Sequence, residues 1–114
     1  IIMAVTIKVL IPAKTAENAQ TTQYTATNLS AIIDKFTATN YTSTSASISV
    51  NLVTYGDSIG NQNLIVKSKF LQAGETYTFP ELVGQIIAPG GYISTIADTA
   101  SAINIRSSGR EVTQ

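Results

Sequence analysis

The sequence predicts an all-β fold: an antiparallel β-sandwich of about seven strands, Ig-like or jelly-roll-like, with an N-terminal arm or edge strand. Three observations predict it. Apolar and polar residues alternate with period two in several runs, turn formers separate those runs at strand-length spacing, and no segment carries a convincing helical stripe. The 114 residues suit one hydrophobic core and leave no room for a second domain. The chain therefore divides into residues 1–20, the arm or edge strand, and residues 21–114, the sandwich.

The clearest strand runs from Ser47 to Val53, where Ile48, Val50 and Leu52 share one side and Ser47, Ser49 and Asn51 the other. Leu64, Val66, Ser68 and Phe70 repeat the pattern against Ile65, Lys67 and Lys69, and Ile103, Ile105 and Ser107 do so against Asn104 and Arg106. Residues 31–39 are rich in strand formers, and Asp34 interrupts their alternation as a bulge would. The predicted strands fall near 22–26, 31–39, 46–55, 64–71, 76–79, 92–97 and 102–112. The expected core includes Ile48, Val50, Leu52, Val66, Phe70 and Ile105, with Phe36 and Phe79 also placed for it. Between strands lie a Ser/Thr/Asn cluster at 40–45, a Gly/Asn/Asp loop at 56–63, and turns at Ala73-Gly74-Glu75 and Pro89-Gly90-Gly91. Residues 80–88 place Leu82, Val83, Ile86 and Ile87 at helical spacing, but Gly84 and the flanking prolines limit them to a short connector or irregular strand.

At the N-terminal end Val5, Ile7 and Val9 alternate with Thr6, Lys8 and Leu10 until Pro12 stops the run. Two readings stay open there. The segment is an edge strand of the sandwich, which tolerates a nearby proline, or an arm that adds to a neighbouring subunit. In the second case Val5, Ile7, Val9, Leu10 and Ile11 are the interface. Lys8 interrupts the apolar run and no cationic segment precedes it, so it reads as mature structure rather than as a secretion signal or a membrane span. Met3 is the sole methionine and a candidate translation start, which would place Ile1 and Ile2 outside the native chain.

Seven basic and seven acidic residues give no net charge, and charged residues make up only 12% of the chain. No Lys or Arg run offers the basic surface that binding to nucleic acid or an anionic membrane uses. Sixteen Thr and eleven Ser cover much of the surface instead. With no Cys and no His, neither a disulfide framework nor a Ser/His/Asp or Cys/His mechanism can be built.

Other chemistry is weakly marked. A two-carboxylate glycosidase needs an acid pair at a set separation, but Asp57, Glu75, Glu81 and Asp98 sit at turns or strand ends, where solvated carboxylates are ordinary. The loop at 56–63 holds one Asp, two Asn and one Gln, too few oxygens of the right kind for calcium, and Asp57 is better read as capping its own turn. Tyr41 and Tyr55, at loop edges, could form a carbohydrate platform; tyrosine is also an ordinary strand residue with its hydroxyl in water. The reading is non-enzymatic, with no cofactor or metal.

Gln23-Tyr24-Thr25-Ala26, followed by residues 31–40 with the sequence AIIDKFTATN, resembles small virion proteins of tailed bacteriophages and prophages. The likeness continues through residues 49–53, Ala73-Gly74-Glu75-Thr76-Tyr77, Pro80-Glu81-Leu82 and Pro89-Gly90, and ends in residues 105–111. It thus spans about residues 22–113. Many relatives have Pro-Gly-Asp where this chain has Pro89-Gly90-Gly91, a change confined to turn chemistry. The resemblance implies a structural protein that decorates or cements the capsid, or belongs to the neck, tail or fibre attachment region. It implies self-association, contact with a major capsid or neck/tail protein, and a location in the virion after assembly in the host cytoplasm. Near-neutral charge favours the outer surface over contact with packaged DNA. A carbohydrate-binding or adhesin module is the alternative from another class.

Overall fold

The computed structural model describes residues 4–113; the candidate start at Met3 lies outside them. Among the described residues the chain forms β1 (Ala4–Thr15), β2 (Thr21–Thr25), β3 (Ser30–Asn40), β4 (Ala46–Val53), a single 3-10 turn at Asn61–Asn63, β5 (Leu64–Leu71), β6 (Thr76–Tyr77), β7 (Ile86–Ile87), β8 (Tyr92–Ala97) and β9 (Ile103–Thr113). That makes nine strands rather than seven. Residues 4–15 join as a full strand, and the connector at 80–88 contributes β7.

Two antiparallel sheets face each other. One has the order β1-β9-β3-β6, with β7 also paired to β3, and the other the order β2-β8-β4-β5. β6 pairs with Ala38 and Thr39 at one end of β3, and β7 with Ala31 and Ile32 at the other. The two short strands therefore occupy one edge position, interrupted by a loop. That loop drives Phe79 and Leu82 into the core, both fully buried. Phe79 adopts φ 44°, a conformation few bulky residues accept, and edge-to-face contacts with Phe36 at 5.0 Å and Tyr77 at 4.8 Å hold it there.

With β6 and β7 counted as one, the chain crosses between sheets at every step except the β4–β5 hairpin, and first and last, and second and penultimate, strands pair. This is the eight-position jelly roll, with its nested Greek keys, and it decides between the two sandwich types that the alternation alone left open.

The core lies between the sheets and is built from Phe36, Ile33, Ile48, Val50, Ile93, Ile103 and Ile105, each 0–1% exposed. Burying each such side chain stabilises the fold by roughly 1.5–3 kcal/mol. Of the expected core, Ile48, Val50, Val66 and Ile105 are buried and Leu52 is half-buried against the cluster. Phe70 is the correction: it stands 63% exposed. Between Val66 and Lys69 three steps along β5 match two steps along β4, and Ser68 takes φ 47°. This bulge inverts the alternation, so Leu71, fully buried, replaces Phe70 in the core.

Asp34 does mark a bulge, lying between the paired residues Ile33 and Lys35 of β3. Beside it, Gly109 is required for space rather than for backbone conformation. A Cβ there would stand 1.9 Å from the Ile32 carbonyl oxygen.

Candidate functional site

β1 is an edge strand, hydrogen-bonded to β9 from Ala4 through Thr15; its other edge has no strand partner among the described residues. Two irregularities in its pairing, one between Val9 and Ile11 and one between Ile11 and Lys14, govern where its apolar side chains go. At the first, Leu10 is inserted, and Leu10 and Ile11 both turn into the chain's own core, 4% and 0% exposed. Upstream of it Val5, Ile7 and Val9 point to the outer face of the sheet, at 59%, 89% and 40% exposure. The five residues expected at an interface thus separate into two core residues and three on the surface.

Those three belong to a larger patch. Partners in an antiparallel ladder share a face, so Ile7 opposite Arg110, Arg110 opposite Ile32, and Ile32 opposite Ile86 form one row across four strands. Val5, Val112 and Ser30 form the next row. Ile86 is 67% exposed. The outer face of a sandwich sheet ordinarily alternates to polar residues; here Val5, Ile7, Val9, Ile32, Val112 and Ile86 form an aliphatic patch around Arg110 at one end of it, while Lys35, Thr37, Arg106 and Asn104 keep the rest polar. Arg110 is fixed in the middle by a two-pronged hydrogen bond to Asp34, 2.8 and 2.9 Å. This bond holds the Asp34 carboxyl below its usual range. Both groups are open to water, so the pair orients Arg110 more than it stabilises the fold.

The acidic residues do not converge. Among the described residues no group of three or more His, Cys, Asp or Glu side chains could hold a metal ion. Asp57 organises its own loop: its carboxylate accepts from the Ser58 backbone N–H at 2.8 Å and from the side chains of Gln62 and Asn63. These bonds hold its carboxyl below the usual range. Glu17 is likewise lowered by hydrogen bonds from Lys14 and Gln23. Tyr24 donates to Glu111 across the two sheets, and its hydroxyl is raised by burial first and by that carboxylate second. Among the described residues no helix is long and apolar enough to cross a membrane.

Tyr41 and Tyr55 are both exposed, 51% and 78%, but they do not form one platform. They follow opposite ends of the region around β4, Tyr41 just after β3 and Tyr55 just after β4, and so sit at opposite ends of the sandwich. Tyr55 lines an open cleft of about 510 Å³ with Thr25, Thr27, Asn28, Pro89 and Gly90. Sequence reasoning missed the exposed Ile86 and the half-buried Ile32 and Val112 as residues of the outer face. The Ile32-Ile33 and Ile86-Ile87 doublets held the available signal, because in a strand one member of each must face outward.

What fold and surface define together is a jelly-roll sandwich with an aliphatic patch on one outer sheet face. No protein-family model and no curated protein matches the chain. Among solved structures it is similar to one described as "Structure of infectious bursal disease virus Gx strain", with a TM-score of 0.49 and 9% sequence identity. The similarity covers 97% of this chain and 32% of that one, so this chain spans about a third of its length.

Proposed function

We propose that the chain is a non-enzymatic structural subunit of a virus particle, of the capsid decoration or cement type. The observation that carries this reading is the aliphatic row Ile7, Ile32 and Ile86 on the solvent side of the β1-β9-β3 sheet. A patch of this kind on a soluble domain marks a contact surface. Jelly rolls serve in viral capsids, lectins and cupins, and the resemblance of residues 22–113 to small phage virion proteins favours the first of these.

The mechanism is adhesive. The outer face and the free edge of β1 offer both contact types a lattice protein uses: apolar burial, and a row of backbone donors and acceptors for strand addition. Partners are further copies of this chain and a shell protein beneath them. Particle symmetry repeats each contact, so a few kcal/mol per subunit accumulate over the shell. Neutral overall charge suits an outer position, away from packaged nucleic acid.

Electron cryo-microscopy of the particle tests the proposal. The expected result is the sandwich on the outer shell with Ile7, Ile32 and Ile86 buried against a neighbour. A particle lacking the chain, or one in which that face lies in solvent, overturns it.

A further inference from the structure

The cleft at Tyr55 is a second surface, separate from the apolar sheet face, and its lining points to a ligand. It lies where the β2–β3, β4–β5 and β7–β8 loops meet. Two of these loops are bolted together: the Gly90 N–H donates to the Ala26 carbonyl at 2.6 Å and the Ala26 N–H to the Gly91 carbonyl at 2.9 Å. Gly90 takes φ +84°, and a Cβ on it would lie 2.6 Å from Tyr55 Cδ1. The glycine thus lets the base of the ring lie on the loop backbone, and the ring, though 78% exposed, has a fixed support.

Around the ring stand Thr25, Thr27 and Asn28. Their side chains and the Tyr55 hydroxyl make no side-chain hydrogen bond among the described residues, whereas Asn40 and Asn63 each use both ends of the amide. Asn28 has φ 59°, a left-handed conformation that asparagine accepts better than most residues and that projects it from the tip of its loop. No carboxylate, ammonium or guanidinium lines the cleft.

An exposed aromatic ring on a rigid support, flanked by uncommitted hydroxyl and amide groups and without charge, matches one ligand chemistry. We infer that the cleft binds a neutral carbohydrate, the apolar C–H face of a pyranose packing on Tyr55 and its hydroxyls meeting Asn28, Thr25 and Thr27. Anionic ligands have no counter-charge here. A polyproline helix docks in grooves lined by several aromatic side chains, and this cleft has one. Backbone cross-bonds between the loops pre-form the site, so binding orders little beyond the ligand itself. The inference stands whether or not the chain is a virion subunit.

The test is retention of bead-displayed protein on an array of neutral oligosaccharides, sialylated oligosaccharides and proline-rich peptides. Dense display is needed, because one ring and a few hydroxyls bind weakly and avidity makes the contact readable. Wild-type protein should be retained on neutral glycans. Tyr55→Ala should lower retention about tenfold or more, as loss of a central aromatic contact does. Asn28→Gly keeps the backbone conformation and removes the amide, and should also lower it. Tyr41→Ala, at the far end of the sandwich, should leave it unchanged, and circular dichroism should show all variants folded. Absence of wild-type retention on neutral glycans, retention confined to sialylated glycans or peptides, or unchanged retention by folded Tyr55→Ala would each overturn the inference.

Discussion

Ile7→Asp places a charge at the β1 edge of the proposed contact face without touching the core. Ile7 is 89% exposed and lies opposite Arg110, so in the isolated chain the new carboxylate meets water and a guanidinium. The domain should lose at most about 1 kcal/mol, the span of strand propensities at surface positions. In an assembly the arithmetic differs. Burying an isoleucine side chain contributes roughly 1.5–3 kcal/mol, and each 1.4 kcal/mol is about tenfold in affinity. Loss of that burial weakens the contact about tenfold to a hundredfold, and desolvating the carboxylate adds to it. Ile7→Ala removes the area without the charge and should fall between the two. Sedimentation velocity or light scattering over a concentration series reads the association, and thermal melting followed by circular dichroism reads the fold. The reasoning fails if Ile7→Asp melts with the wild type and self-associates equally, or if it unfolds.

Ile11→Ala, four residues along the same strand, should do the opposite: Ile11 is fully buried, so urea denaturation should show a loss of about 2–5 kcal/mol, and a loss under about 0.5 kcal/mol would contradict its core position. Gly109→Ala should destabilise by about 1–3 kcal/mol, the range for overpacking, because the added methyl meets the fixed backbone oxygen of Ile32; the melting temperature is the readout. Raised in the folded state, the Tyr24 hydroxyl contributes stability that is complete below the unfolded value of about 10 and fades as pH rises beyond it. Alkaline melting curves should therefore fall more steeply for wild type than for Tyr24→Phe. At the acid end the lowered carboxyls of Glu17, Asp34, Asp57 and Glu81 contribute stability present above about pH 4 and lost as pH falls through their folded values, so melting temperature should drop there too.

The sandwich was legible because alternation is a direct record of which face of a strand meets the core. Ile48, Val50 and Ile105 follow it without interruption, and all are buried. Phe70 failed for a physical reason: a one-residue bulge at Ser68 reverses every side chain beyond it, and a serine in a run of apolar and basic residues carries no mark of the left-handed conformation it adopts. Asp34 was readable as a bulge because a carboxylate in an apolar run has to be turned out of the core-facing row, and an extra residue in the strand does that. The choice of jelly roll over immunoglobulin-type pairing was not legible, since it depends on which strands cross between the sheets, and loop lengths of a few residues permit both.

The candidate surface was half-legible for a related reason. Alternation in Val5, Ile7 and Val9 shows that three apolar side chains share a face, but composition cannot say which face. Had the bulge at Leu10 been absent, the phase that turns Ile11 inward would also have turned Val9, Ile7 and Val5 to the inner face, where Thr6 and Lys8 now stand exposed. With the bulge, β1 is a strand of two phases: Leu10 and Ile11 enter the core, and Val5, Ile7 and Val9 stand on the outer face in water. Aliphatic side chains held outward by the backbone, aligned in register with Ile32 and Ile86 from distant parts of the chain, keep apolar area in water that a partner would remove. That energetic asymmetry within one strand is why the outer face reads as an assembly surface.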